Sequence, residues 1–79
     1  MADVRIYSIP NCPNCKHLKM LLDRAGVQYA YRMFDPLDDN DVAEMAMMGI
    51  YNAQFPVVYL GDERLPAMTV GEYVQRIVG

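Results

Sequence analysis

Cys12 and Cys15 are the two cysteines of a 79-residue chain, and they stand two residues apart as Cys12-Pro13-Asn14-Cys15. A bond between such near neighbours closes almost no loop and gains little chain-entropy stabilisation. A secreted miniprotein instead scatters several cysteines to staple its loops. The pair is therefore better suited to chemistry than to stapling. Disulfide exchange needs a thiolate, and an ordinary cysteine titrates near pH ~8.5. A sulfur at a helix N-terminus meets unpaired amide donors and the positive end of the helix dipole, and both favour the thiolate. Cys12, at or before a first helical turn, is the expected nucleophile. Its thiolate would attack a disulfide to form a mixed disulfide. Cys15, one turn deeper, would then attack the Cys12 sulfur and release the reduced product. Lys16 would further favour negative charge on Cys12, although an ordinary solvated lysine is the preferred reading. His17, five residues after Cys12, points away from that sulfur on an ideal helix and reads as a surface or boundary residue.

Metal ligation is the competing use of the two thiols. A structural zinc site takes four protein ligands, and two cysteines with one histidine do not supply them without carboxylates or a second copy of the chain. Haem attachment needs histidine directly after the second cysteine; here Lys16 stands there. Copper(I), which soft thiolates select, is the most serious rival. Copper chaperones resemble this chain in placing a C-x-x-C after their first strand. They differ in running β-α-β-β-α-β and in a Met-x-Cys lead, where this chain has Pro10-Asn11. No metal site is expected.

The elements needed to hold Cys12 at a helix start are readable on either side of it. Val4 to Ser8 predicts a strand, which Ile9-Pro10-Asn11 breaks. From Pro13 to Ala25 the pattern is helical, with Leu18, Leu21, Leu22 and Ala25 recurring at spacings of three and four. Pro13 suits the first turn and Gly26 the stop. Val27 to Phe34 predicts a second strand, with Val27, Tyr29, Tyr31 and Met33 alternating with Gln28, Ala30 and Arg32. The acids Asp38, Asp39 and Asp41 read as capping and charging a helix N-terminus rather than as a metal site. That helix should run from about Asp39 to Met48 and end at Gly49, with Met45 and Met48 as core filler. Phe55 to Leu60 predicts a third strand interrupted by Pro56, and Gly61-Asp62 a two-residue hairpin into Glu63 to Leu65. Thr69-Val70-Gly71-Glu72 fits a capping box before a last helix whose inward face draws on Tyr73, Val74, Ile77 and Val78. The order is β-α-β-α-β-β-α. Helical crossovers favour parallel pairing and the tight turn an antiparallel hairpin, which gives a mixed four-stranded sheet covered by helices.

Composition narrows the function class. Hydrophobic residues make up 53% of the sequence, enough for a packed core rather than disorder. Residues 1–79 read as a single domain. The net charge is −3, with seven scattered basic residues, a poor match to the clustered Lys and Arg that phosphate contacts need. Nucleic acid is therefore not an expected partner. No apolar run approaches the ~18 residues that span a bilayer. The opening Met1-Ala2-Asp3-Val4-Arg5 does not read as a signal peptide, so a cytoplasmic location is the default expectation.

Together these motifs resemble the glutaredoxin family over nearly the whole chain. Ile6-Tyr7-Ser8-Ile9-Pro10-Asn11-Cys12-Pro13-Asn14-Cys15 is similar to that family's first strand and active-site loop. Phe55-Pro56-Val57-Val58-Tyr59-Leu60 is similar to its third strand. The resemblance implies a thioredoxin fold and a dithiol thiol–disulfide oxidoreductase with catalytic Cys12 and Cys15. It also implies a cis Phe55–Pro56 bond, a small cost over trans for an X-Pro bond, facing the cysteines. Substrate contacts are implied at Pro13, Asn14, Phe55, Pro56 and Thr69. The backbone beside Pro56 would pair with an extended peptide or glutathione, and Thr69 stands near the position that helps hold the glutamyl end of glutathione.

The chain departs from the family's common residues at Ile9, Asn14, Gln54-Phe55 and Pro66-Ala67. Pro66-Ala67 replaces a Gly pair that allows close backbone approach at the glutathione groove. Two subtypes stay open. One is a glutaredoxin reduced by glutathione. The other resembles the glutaredoxin-like redoxins that are reduced by thioredoxin reductase and deliver electrons to ribonucleotide reductase. Disulfide-containing proteins are the implied substrates, with no tightly bound cofactor. Iron–sulfur glutaredoxins, which bridge two copies through a cluster, also resemble this chain, although Pro13 is unfavourable there.

Overall fold

A computed structural model describes residues 3–79; the signal-peptide reading at Met1 and Ala2 lies outside the described residues. The elements are β1 (Val4–Ser8), α1 (Pro13–Arg24), β2 (Ala30–Met33), α2 (Asp39–Met48), β3 (Val57–Leu60), β4 (Glu63–Arg64) and α3 (Val70–Val78). They form one four-stranded sheet in the order β2-β1-β3-β4. β1 pairs parallel with β2 and antiparallel with β3, and β3 pairs antiparallel with β4. This is the predicted mixed sheet in the predicted element order.

Each face of the sheet has its own core. Val4, Ile6 and Val58 pack with Leu18 and Leu22 of α1, Leu65, and Tyr73 of α3. Val57, Phe34, Met45 of α2 and Ile50 form the other core, against which Tyr7, Met48, Phe55 and Tyr59 pack. Alternate β1 side chains therefore serve opposite layers, as the two-residue strand period requires. Both methionines singled out as filler, Met45 and Met48, take that role.

Several predicted boundaries change. The second strand is shorter than Val27 to Phe34. The Val27 amide donates to the Leu22 carbonyl at 3.0 Å, so Val27 still closes α1, and strand pairing begins only at Ala30. Met33 is 50% exposed, because β2 is an edge strand. β3 begins at Val57 rather than Phe55, since Pro56 has no amide to place in a ladder. Ala25 is the C-cap of α1 and is exposed rather than part of the inward face, which consists of Cys15, Leu18 and Leu22 with Leu21 half-buried. Val78, on the last turn of α3, is also exposed.

The caps stand where the sequence puts them. The Asp38 carboxylate accepts from the amides of Asn40 and Asp41. Gly49 closes α2 at φ 73°, a left-handed conformation that costs glycine little.

Candidate active site

α1 runs back from the end of β1, and the residue at its N-cap is Cys12, with φ −106° and ψ 100°. The turn that delivers it contains Asn11 at φ 62°, a left-handed conformation that asparagine tolerates better than most residues. Pro13 then occupies the first helical position. The Cys12 carbonyl accepts the Lys16 amide at 3.3 Å, and the Cys12 Sγ accepts the Cys15 amide at 3.2 Å. The capping role usually filled by a Ser or Asp oxygen is thus filled by sulfur. Sequence reasoning identified the helix start but not the role of Asn11; the Pro-Asn pair before the motif was the available signal.

Cys12 and Cys15 are joined as a disulfide, with their Cα atoms 5.3 Å apart. The two sulfur-bearing residues differ in access. Cys12 is half-buried, whereas Cys15 is 1% exposed and continues the inward face of Leu18 and Leu22. Lys16 and His17 are exposed on α1.

A small cavity of about 50 Å³ lies beside the motif, lined by Asn14, Gln54, Phe55, Pro56, Ala67, Met68, Val70 and Tyr73. The fold therefore brings Asn14, Phe55 and Pro56 together at one cavity. The Phe55–Pro56 bond is cis, and Pro56 is buried while Phe55 is half-buried. Pro13 and Thr69 do not line the cavity. The Thr69 hydroxyl accepts the Glu72 amide at 3.2 Å and donates to Glu72 Oε1 at 3.0 Å, and the Thr69 amide donates back to Glu72 Oε1 at 3.4 Å. Its side chain is engaged in the capping box of α3.

Sequence reasoning missed Tyr73 as part of this site, having read it only as an inward-facing helix residue. Its side chain is 3% exposed. Its hydroxyl donates to the Pro66 carbonyl at 3.2 Å and approaches the Pro56 carbonyl at 3.5 Å. Burial raises its pKa above the usual tyrosine value, partly offset by the Met68 amide bonding its oxygen.

A sequence profile of the glutaredoxin family matches residues 4–65, which include both cysteines and the cis-proline. The chain belongs to the glutaredoxin family. Among solved structures, this glutaredoxin-family chain is similar to the glutaredoxin Grx-1 from Archaeoglobus fulgidus, at 25% identity and a TM-score of 0.64 over 99% of this chain and 87% of the other. A threonine-to-alanine point mutant of the thioredoxin-like protein BC3987 superposes with a TM-score of 0.66 at 23% identity, over 98% of this chain and 100% of that one. BC3987 without that substitution gives 0.63 at 23%, over 92% and 97%. The comparison with curated proteins gives no significant match. Among the described residues, no helix is long and apolar enough to cross a membrane.

Proposed function

We propose that this glutaredoxin-family chain is a dithiol oxidoreductase that reduces protein disulfides. The observation that carries the proposal is the unequal access of two bonded sulfurs at one helix N-terminus. In the reduced protein, the Cys12 thiolate is favoured by the amide that already points at its sulfur. It attacks one sulfur of a substrate disulfide and expels the other as a thiolate, which takes a proton from water. Cys15, shielded from solvent, attacks the Cys12 sulfur in the mixed disulfide. The second substrate sulfur leaves, and two electrons have passed to the substrate as the Cys12–Cys15 bond forms. A reducing compartment such as the cytoplasm suits this cycle.

Two electrons must return from a reductant, either glutathione or thioredoxin reductase. Thioredoxin reductase is supported by two observations. The Thr69 hydroxyl is committed to a helix cap, and Pro66 and Ala67 carry side chains where a glycine pair would open the wall to glutathione. Ribonucleotide reductase is a candidate recipient on that reading.

The test compares turnover with glutathione, glutathione reductase and a mixed disulfide against turnover with thioredoxin reductase and a protein disulfide, both driven by NADPH. Turnover in the first alone makes the chain a glutathione-dependent glutaredoxin. Turnover in the second alone makes it a thioredoxin-reductase-dependent donor. Failure in both rejects the oxidoreductase reading. Cys12→Ser should remove turnover, and Cys15→Ser should accumulate a mixed disulfide detectable by mass; a Cys12→Ser protein as active as the parent would overturn the assigned roles.

A further inference from the structure

The sheet ends abruptly at the disulfide side. In the antiparallel register, Tyr59 faces Arg64 and Leu60 faces Glu63. The Leu65 amide still bonds the Val58 carbonyl at 2.9 Å. Continued further, the same register would set Pro66 opposite Val57 and Ala67 opposite Pro56. Both strands have reached a proline, and proline carries a carbonyl acceptor but no amide donor. The next hydrogen-bonded rung would pair Pro56 with Ala67, and Pro56 has no amide to give, so the ladder lacks one of that rung's two donors.

The Tyr73 hydroxyl occupies that gap, with Pro66 O at 3.2 Å and Pro56 O at 3.5 Å. It has one proton to give, so the nearer Pro66 carbonyl is the stronger branch and Pro56 the weaker. Phe55-Pro56 and Ala67-Met68 are also two walls of the cavity beside the cysteines, with Asn14 on a third side. These walls bound a space of about 50 Å³. A wall displaced by an ångström would change what fits.

We propose that Tyr73 is the positioning residue for polypeptide substrates, its hydroxyl tying the cis-proline wall to the Pro66–Ala67 wall and so setting the groove in which the chain around a target disulfide lies. This rests on the oxidoreductase reading above. The hydroxyl's partners are the two carbonyls rather than the sulfurs, and it acts through them.

The experiment is steady-state turnover of an oxidised, extended peptide carrying one disulfide, with the reducing system that supports the parent protein. Tyr73→Phe keeps the ring in the core and removes the hydroxyl. Its KM should rise about tenfold, the worth of about one well-placed hydrogen bond, with kcat within about twofold. Ala67→Gly loosens the opposite wall at an exposed position and should raise KM in the same direction. The double variant should cost less than the product of the two, because both act on one contact. An unchanged KM in folded Tyr73→Phe, or a fall in kcat with KM unmoved, overturns the proposal. If Tyr73→Phe does not fold, an unchanged KM in Ala67→Gly overturns it instead. Absence of turnover in the parent protein rejects the oxidoreductase reading, a result distinct from either.

Discussion

Sulfur chemistry at this site depends on one residue being reachable and its neighbour being sealed, and the strand that leads to the site carries a cost of its own. Ser8, the last residue of β1, is fully buried, and its hydroxyl has no hydrogen-bond partner among the described residues. A buried, unpaired hydroxyl opposes folding by about 1–3 kcal/mol. Removing it is therefore expected to leave stability unchanged or to raise it. Ser8→Ala should show an equal or higher denaturant midpoint than the parent, with the disulfide intact in both. A loss of more than about 1 kcal/mol would mean that the hydroxyl is satisfied in solution, for instance by a buried water. The cysteine pair was legible in the sequence because its spacing and its place after a strand carry the meaning. Tyr73 was not legible. Its hydroxyl meets the Pro56 and Pro66 carbonyls only once the hairpin has formed, and no local pattern records that two distant carbonyls share one hydroxyl.

Helix ends are the elements that the sequence states most directly, because a cap is a side chain bonding its own near neighbours. Asp38, Gly49 and the Thr69–Glu72 box all stand as the residue types require. Two stability predictions follow from their geometry. Gly49 sits at φ 73°, and a Cβ there would meet nothing within 4 Å. Gly49→Ala therefore incurs only the cost of the left-handed backbone, and should lower stability by about 1 kcal/mol. Thr69→Ala should cost about as much by removing the acceptor for the Glu72 amide, and Thr69→Ser should recover most of it. Denaturant unfolding of the oxidised proteins checks both; Thr69→Ala with the parent's stability would show that the cap contributes nothing. Strand ends were less legible. Val27 and Tyr29 alternate with polar residues like strand residues, but the Val27 amide is used by the carbonyl of Leu22. Phe55 continues the apolar run of β3, but Pro56 ends the ladder before it. In both places a single backbone hydrogen-bond donor, already used or missing, overrode the side-chain pattern.

Across the whole molecule, the order of elements was legible because crossover helices and a tight Gly61-Asp62 turn leave few ways to pair four strands. The coupling between the core and the site was not. Tyr73 packs in the same core as Leu18 and Leu22 of α1 and as Ile6 and Val58 of the sheet, so its protonation bears on the stability of the entire fold. Desolvation raises its pKa in the folded chain above the unfolded value near pH ~10. Below that pH the hydroxyl keeps its proton whether the chain is folded or not, and its full contribution is present. Above it, the unfolded chain loses the proton first. Rising pH then draws the equilibrium toward unfolding until the folded value is passed. Tyr29 is shifted in the same direction, by burial and by the Asp23 carboxylate that accepts its hydroxyl at 2.6 Å, so the alkaline loss has at least two sources. Melting temperatures of the oxidised protein between pH 8 and roughly 11 separate them. The parent should fall above pH about 10, Tyr73→Phe should fall less, and Tyr29→Phe should remove a different share. Parallel curves for the parent and Tyr73→Phe would show that this hydroxyl titrates as it does in the unfolded chain, and that the core does not hold its proton.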